Sequence, residues 1–370
     1  MDLSGYLLAW RTTALPDREV IDALVHPAHA GNSSAFAAAL KDWPGSHYWS
    51  DEPDGRHLVL TRPIGRRRRD AWAVHLLLLA ATLFTTTFVG AVLLDAIPFD
   101  PNPLALLLGT YPLPRDFIHA WATGLPFSGP LLAILLCHEL GHYVTARRYQ
   151  LDVSLPFFIP APVVPWSIGT MGAFIRLRTV VSDRRQLLDV GVAGPIAGLL
   201  VALPVLVIGF ALSHPAGGPA SLHGMVLGLD DGQAVLGDSL LTFALRHLVR
   251  GSAPTLVLHP VAFAGWLGVF VTMLNLLPIS QLDGGHILYS AVPRWHRRTA
   301  LGFWVLIVAL GVYWRGWLLW GGLVLLLSRG RLGHPSVLDV HRPLPRSRRV
   351  LAWAALVLLL VTFTPIPFRL

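Results

Sequence analysis

The chain has 370 residues, of which 54% are hydrophobic and 14% carry a charge, and its mean hydropathy is +0.57. This composition excludes a soluble enzyme, since several apolar runs approach the roughly 20 residues that span a bilayer. The net charge of +8 does not indicate a nucleic-acid-binding protein. No recognition motif is present, and most arginines flank apolar runs, where basic residues orient membrane spans.

Residues 1–70 precede the first apolar run and are predicted to form a small cytosolic region. Their pattern predicts a helix around Ser33–Lys41 and a strand at His57–Thr61. The first residues lack a basic start followed by a continuous apolar core, so we expect no cleavable signal peptide. Nothing in this region resembles a functional site, and its role stays open.

The apolar segments after residue 70 define the predicted topology. The basic run Arg66–Arg69 precedes the first segment and indicates a cytoplasmic amino terminus. Two short runs flank Arg315, and they are interpreted either as two tilted spans or as one re-entrant hairpin, so the count is about six to seven. The predicted segments are about Ala71–Leu94, Leu125–Ala146, Leu187–Leu212, Leu258–Leu277, Leu301–Trp314, Trp317–Leu327 and Val350–Phe363.

The second of these segments contains the sequence HELGH, which runs from His138 to His142. In a helix, residues four apart lie on one face, so both histidines can direct ring nitrogens at a single ion. Glu139 sits beside them and can take the proton of an attacking water, as a zinc hydrolase requires. Ionisable groups at membrane depth usually mark function, which favours this interpretation over a hydrogen-bonded polar cluster. Cys137 is interpreted as a small buried side chain rather than a ligand.

Residues 149–185 are apolar, yet several prolines exclude a continuous spanning helix. The piece Gly169–Arg178 begins with glycines and then partly alternates, which predicts a short strand or hairpin. Non-helical backbone at membrane depth must pack on protein or line a wet cavity. We therefore expect a re-entrant β element beside the active site, with an ordinary cytoplasmic loop as the alternative.

A zinc ion held by two histidines needs a third protein ligand and one open position for water. Asp283 is the candidate, because it is the only carboxylate between Asp238 and Asp339 and lies at a depth that suits the two histidines. His286 is interpreted as a residue that contacts the ligands or lies at the membrane interface, and a role as an alternate ligand is the alternative. His259 stands at the opposite end of its apolar segment and is expected to lie far from the metal.

The sequence around Asp283 also predicts local irregularity. Pro278 blocks helix continuation, and Gly284-Gly285 permits conformations closed to other residues. Asn275 lies eight residues before Asp283 in an apolar run. Its amide is predicted to stabilise the oxyanion formed during attack on a peptide, and a hydrogen bond between packed helices is the alternative role.

Four motifs together resemble the site-2 protease family of intramembrane zinc metalloproteases, peptidase family M50. They are HELGH at 138–142, GTMGAFIRL at 169–177, GVAGPIAG at 191–198 and NLLPISQLDGG at 275–285. The resemblance covers about residues 125–290. Some members insert a PDZ domain between the core spans, and the loop before the fourth predicted span is too short for one.

The resemblance implies a role for each matched residue. His138, His142 and Asp283 are expected to bind Zn²⁺, Glu139 to activate water, and Asn275 to hold the substrate or the oxyanion. The fold class predicted from the apolar segments is an all-α polytopic membrane protein with about six to seven transmembrane helices and a small membrane-associated β element near the active site. No glutamate follows Glu139 in this chain, which excludes membrane zinc peptidases with a distant glutamate ligand.

The predicted function is regulated intramembrane proteolysis by a zinc metalloprotease that cleaves peptide bonds in or near transmembrane segments of other proteins. The expected partners are transmembrane protein substrates and the lipid bilayer, without nucleic acid, and the oligomeric state stays open. A silent membrane scaffold and a zinc transporter are the alternatives. A scaffold has no need of Glu139, and a transporter predicts polar residues repeated through several spans.

The predicted domains are a cytosolic region at 1–70, a first transmembrane helix and outer loop at 71–124, a metalloprotease core at 125–290, and carboxy-terminal helices with a tail at 291–370. The expected location is a bacterial inner membrane, with the chain passing through it several times.

Overall fold

The computed structural model describes residues 3–369 apart from 15–17, 32, 64–69, 99, 101–107, 150, 163–166, 179–180, 182, 216–223, 230–231, 252–254, 335–336 and 338–342. The basic run Arg66–Arg69, used above to orient the chain, lies outside the described residues. The chain divides into two compact units. The first comprises Met1–Asp70, Ala146–Ser154 and Arg176–Val181, and the second comprises the remainder.

The first unit is built on an antiparallel sheet. Its strands are β1 (Leu7–Ala14), β2 (Arg18–Val25), β3 (His47–Glu52) and β4 (Gly55–Pro63), which pair in the order β1-β2-β4-β3. The all-α prediction missed this sheet, although the strand expected within β4 is present. The reason is that few side chains of β2 and β3 are buried, whereas β4 buries four in a row from Leu58 to Thr61, so none of these three strands shows a clear period-two pattern.

A helix lies in the first unit where the sequence predicted it. Helix α1 (Ser34–Lys41) begins after Ser33, whose hydroxyl accepts a hydrogen bond from the Phe36 N–H. Phe36 and Leu40 are buried in a small apolar cluster with residues of β2 and β4. The unit therefore has a core of its own, although a small one.

The second unit is mostly helical. Its helices are α2 (Trp72–Leu93), α3 (Phe117–Ala122), α4 (Leu125–Arg148, of which the last residues belong to the first unit), α5 (Arg184–Leu212), α6 (Leu240–Arg250), α7 (Pro260–Leu276), α8 (Asp283–Ala291), α9 (His296–Leu310), α10 (Gly316–Leu327) and α11 (Arg346–Thr362). Each predicted apolar segment is helical. Among the described residues, α2 and α5 are long and apolar enough to cross a membrane, and α7 and α10 are apolar but shorter.

The core of the second unit lies between α4, α5 and α7. Phe127 stacks on Phe263 with ring centroids 5.4 Å apart, and Trp266 stacks on Phe270 at 5.4 Å. The indole N–H of Trp266 donates to the Gly237 carbonyl at 2.9 Å, which satisfies the one polar atom of this buried ring. This packing fixes the helices that carry the candidate site.

Two β elements interrupt the helices of the second unit. Strand β6 (Thr170–Phe174) lies within Gly169–Arg178, where a short strand or hairpin was predicted, and it pairs with β5 (Phe157–Pro160), which was not predicted. This pair packs against α2 through a hydrogen bond from the Thr85 hydroxyl to the Gly169 carbonyl at 2.6 Å. The predicted loop between α5 and α7 holds more structure than expected. It contains α6 and most of a five-stranded sheet in the order β11-β9-β8-β10-β7. These strands are β7 (His214–Pro215), β8 (Gly224–Leu229), β9 (Gly232–Leu236), β10 (Thr255–Val257) and β11 (Phe368–Arg369).

Candidate metal centre

Helix α4 places the two histidines of HELGH one turn apart on its buried face. His138 is 3% exposed and His142 is 6% exposed, and their Nε2 atoms lie 3.1 Å from each other. The segment is helical because its residues are mostly apolar helix formers, and the four-residue spacing then brings both rings to one side.

Asp283 reaches the two histidines from the first turn of α8, although it is 145 residues from His138 in the chain. Its Oδ2 atom lies 3.2 Å from the His138 Nε2 atom and 3.3 Å from the His142 Nε2 atom. The backbone is regular from Asp283 onward, which corrects the expectation of irregularity there. The irregular part precedes α8, where Ser280 has a φ angle of 52°.

Gly284 is needed for close packing rather than for an unusual backbone conformation. It lies inside α8, and a Cβ atom at this position would stand 1.8 Å from the carbonyl oxygen of Leu276. The absence of a side chain therefore lets the first turn of α8 rest directly on the end of α7. That contact brings Asp283 to the depth of the two histidines.

The three side chains fit a zinc ion in spacing and in chemistry. Their converging atoms are two imidazole nitrogens and one carboxylate oxygen, all within 4.8 Å of one another. Ligands about 2.0 to 2.1 Å from a tetrahedral zinc lie roughly 3.3 to 3.4 Å apart, close to the 3.1 to 3.3 Å found between these atoms. Two histidines and one acid leave a fourth position for water or substrate, as in catalytic zinc sites.

Helix α5 orients the imidazole ring of His142 through a backbone carbonyl. The Nδ1 atom of His142 lies 2.7 Å from the carbonyl oxygen of Val190, so the ring proton sits on Nδ1 and the Nε2 lone pair faces the other ligands. A Cβ atom at Gly194 would stand 2.0 Å from the His142 Nε2 atom. The small residues of GVAGPIAG therefore leave room for the imidazole.

Glu139 is buried beside the ligands, at 6% exposure, and does not belong to the converging group. The backbone N–H of Ile175, directly after β6, lies near its carboxylate. The glutamate is thus held next to the ion site and next to the hairpin. This position suits a base rather than a ligand.

Asn275 lies at the end of α7 with its Nδ2 atom 3.3 Å from the His138 Nε2 atom. The structure therefore brings the amide to the ligand group, through a contact between α7 and α4. His259, at the opposite end of α7, accepts a hydrogen bond from the Val261 N–H and lies about 24 Å from Asn275 along the helix axis. His259 is far from the ligands, as expected.

The other candidate ligands are not part of the group. His286 directs its Nδ1 atom at the Nε2 atom of His334, 2.6 Å away. Cys137 is a half-buried free thiol that does not converge with the histidines. A second group of potential metal-binding residues, Glu52, Asp54 and His57, lies in the first unit, where its two acids are exposed.

Sequence reasoning missed two backbone groups at the site, the carbonyl of Val190 and the N–H of Ile175. Every residue except proline carries both groups, so residue type contains no signal for either. An indirect signal existed in the motifs that surround them, GVAGPIAG after Val190 and GTMGAFIRL around Ile175. Both motifs were identified, but their contacts with His142 and Glu139 were not foreseen.

Comparison with known proteins gives a consistent result. The family model of peptidase family M50 matches residues 126–310, half of the chain. A probable zinc metalloprotease of rice, the chloroplastic EGY1 of Oryza sativa subsp. japonica, is 31% identical over 228 residues, which are 60% of this chain and 38% of the rice protein. The corresponding EGY1 of Arabidopsis thaliana is 30% identical over 279 residues, which are 74% of this chain and 48% of that protein.

A further relative is the probable zinc metalloprotease EGY2 of Arabidopsis thaliana, 30% identical over 213 residues, 54% of this chain and 35% of that protein. The chain thus spans less than half the length of these curated relatives. None of the solved structures matches it. The prediction of a bacterial inner membrane is wrong on this comparison, because these relatives are named as chloroplastic proteins of plants.

Proposed function

Because the chain belongs to peptidase family M50, we propose that it is a zinc metalloendopeptidase that hydrolyses peptide bonds in or near the transmembrane segments of other membrane proteins. The observation that carries the proposal is the convergence of His138, His142 and Asp283 from α4 and α8 on one point, beside a buried glutamate. The named activity of the curated relatives supports the same reaction class.

His138, His142 and Asp283 would hold the zinc ion. When bound, zinc polarises the scissile carbonyl and lowers the pKa of a coordinated water to about 7. Glu139 takes the proton of the attacking water and returns it to the leaving amine nitrogen, and the backbone N–H of Ile175 lies near this carboxylate. The Asn275 amide donates a hydrogen bond to the developing oxyanion.

Strand β6 supports a role in substrate binding. In the described part of the chain β6 pairs only with β5. A substrate helix hides its carbonyls in its own hydrogen bonds and must become extended before water can attack. An extended substrate that pairs with β6 would lie next to Ile175, and so close to Glu139.

Exposed apolar side chains support a membrane location for the helices. Leu77 of α2 is 69% exposed, Leu200 of α5 is 66% exposed and Leu319 of α10 is 78% exposed. Large apolar side chains exposed to this extent on several helices are costly in water and suit a lipid environment. We propose a metalloprotease core at 125–290, flanked by membrane helices at 71–124 and 291–370, with residues 1–70 outside the membrane.

The test is the zinc content of the purified protein, measured beside cleavage of a transmembrane substrate in the same detergent. The variants Asp283→Ala and His142→Ala should lose both zinc and cleavage, since each removes a ligand. The matched control is His247→Ala, a histidine change on α6 that should keep both. Zinc retained by Asp283→Ala would contradict the assignment of the third ligand.

The same preparation separates the alternative functions. Stoichiometric zinc without cleavage of any transmembrane substrate by the unchanged protein would favour a scaffold. Zinc flux into sealed vesicles would favour a transporter. Cleavage that stops when a chelator removes zinc and resumes when zinc is added back would support the peptidase.

A further inference from the structure

The segment Arg331–His334, which follows α10, lies against the loop that leads into α8. The Ser280 N–H donates to the carbonyl oxygen of Leu332 at 3.0 Å, and the Ser280 hydroxyl donates to the carbonyl oxygen of Arg331 at 3.1 Å. Ser280 is 4% exposed. A chain segment that is remote in sequence from the metal ligands thus holds the loop three residues before Asp283.

The same segment also contacts α8 beyond Asp283. The Nε2 atom of His334 lies 2.6 Å from the Nδ1 atom of His286, and the His334 ring stacks on Tyr289 at 4.5 Å between centroids. The His334 backbone N–H donates to the Nδ1 atom of His296 at 3.3 Å. His334 is therefore held from several sides and presents one ring nitrogen to His286.

The loop before α8 needs such support. Ser280 adopts a φ angle of 52°, which is unfavourable for a residue with a side chain. Its two hydrogen bonds to the Arg331–His334 segment stabilise this conformation. The chain then enters α8 at Asp283.

We propose that the Arg331–His334 segment positions Asp283 for metal binding, and that His334 acts as a positioning residue through His286. The inference rests on the proposed function. Ser280 and His286 stand three residues before and three residues after Asp283, so the segment holds both sides of the turn that carries the ligand. Ligand sites depend on geometry to within about 0.5 Å, and groups that orient ligands typically contribute 10-fold to 100-fold to metal affinity.

The first test replaces His334 by phenylalanine, which keeps a ring against Tyr289 and removes the nitrogen that faces His286. We expect the zinc dissociation constant, measured by chelator competition, to rise about tenfold or more. The visible spectrum of the Co²⁺-substituted protein should shift, because the ligand geometry changes. His334→Gln places an amide near the position of the lost nitrogen and should restore most of the affinity. His247→Phe, a matched change on α6, should have no effect.

A second measurement distinguishes the hydrogen bond from general destabilisation. The double variant His286→Phe/His334→Phe should lose no more zinc affinity than the weaker-binding single variant, because both changes remove the same bond. If the fold-loss in zinc affinity of the double variant equals the product of the two single losses, the proposal is overturned. If His334→Phe does not fold, Ser280→Ala removes only the bond to the Arg331 carbonyl, and unchanged zinc affinity in that variant would overturn the proposal as well.

The outcomes separate this inference from the proposed function. An unchanged protein that binds no zinc overturns both. An unchanged protein that binds zinc and cleaves substrate, beside a folded His334→Phe variant with the same zinc affinity and the same Co²⁺ spectrum, overturns only the role of the Arg331–His334 segment.

Discussion

The Nδ1 atom of His142 lies 2.7 Å from the backbone carbonyl oxygen of Val190, and this bond joins α4 to α5 at the candidate metal centre. Because the carbonyl accepts the ring proton, the Nε2 atom of His142 carries the lone pair that a metal requires. The orientation of the ligand thus depends on a helix that contributes no ligand of its own. Gly194 of the same helix lies so close to the imidazole that a side chain at this position would clash with the ring.

The variant Gly194→Ala should weaken zinc binding by about tenfold or more, because the new Cβ atom would stand 2.0 Å from the His142 Nε2 atom and displace the ring. Chelator competition measures the change. The matched control is Gly129→Ala in α4, where a Cβ atom meets nothing within 4 Å. Equal zinc affinity in the two variants would show that the close approach of α5 does not constrain the ligand.

The variant Glu139→Gln should lower kcat by about 100-fold to 10,000-fold, since the amide cannot accept the proton of the attacking water. Zinc should remain stoichiometric, because Glu139 does not belong to the ligand group. Cleavage of a transmembrane substrate and metal analysis on one sample measure both quantities. Full activity in this variant would refute the assignment of the base.

The variant Asn275→Ala should lower kcat by about 100-fold with little change in KM, as expected for a donor that acts on the oxyanion in the transition state. The position of its Nδ2 atom, 3.3 Å from the His138 Nε2 atom, supports this role. Steady-state cleavage kinetics and a thermal melt of the same protein provide the measurement. A lower melting temperature with unchanged kcat would instead indicate a helix-packing role.

The variant Arg348→Ala should destabilise the second unit by about 1.5 to 3 kcal/mol, the usual range for hydrogen bonds to charged groups. Arg348 in α11 makes a bidentate pair with Asp189 in α5, at 3.1 Å and 3.0 Å. Thermal unfolding measures the loss. Arg349→Ala, one residue further on the same helix and exposed, is the control, and an equal effect in both would argue against the pair.

The first unit should lose stability as the pH rises. Burial lowers the pKa of His57, but hydrogen bonds and charge from Asp22 and Asp54 outweigh it and raise the pKa above its ordinary value of 6.5. The folded chain therefore binds this proton more tightly than the unfolded chain. The stabilisation is present below pH 6.5 and is lost as the pH rises through the raised pKa.

Hydrogen exchange of β4 in the full chain tests this pH dependence. At about pH 6, near the ordinary pKa of histidine, β4 should be better protected in the unchanged protein than in His57→Gln. The difference should shrink at higher pH. Comparison of the two proteins at each pH cancels the intrinsic pH dependence of exchange, and a constant difference would contradict the role of His57.

Some of the site could be predicted because it depends on local spacing. His138 and His142 share a helix face whatever the rest of the chain does. Asp283 could be chosen because it is the only carboxylate between Asp238 and Asp339. The structure places it next to both histidines. The glycines after Asp283 were interpreted as conformational freedom, whereas Gly284 serves a close contact with the Leu276 carbonyl.

By itself the sequence determined the family, the helical character of the apolar segments and the residue types of the candidate ligands, because these follow from composition and from motifs a few residues long. Only the tertiary structure decided which backbone groups hold His142 and Glu139, and how the Arg331–His334 segment reaches Ser280 and His286. The physical reason is that these contacts join groups far apart in the chain, many of them backbone atoms common to most residues. Their partners are therefore set by helix packing and not by residue type.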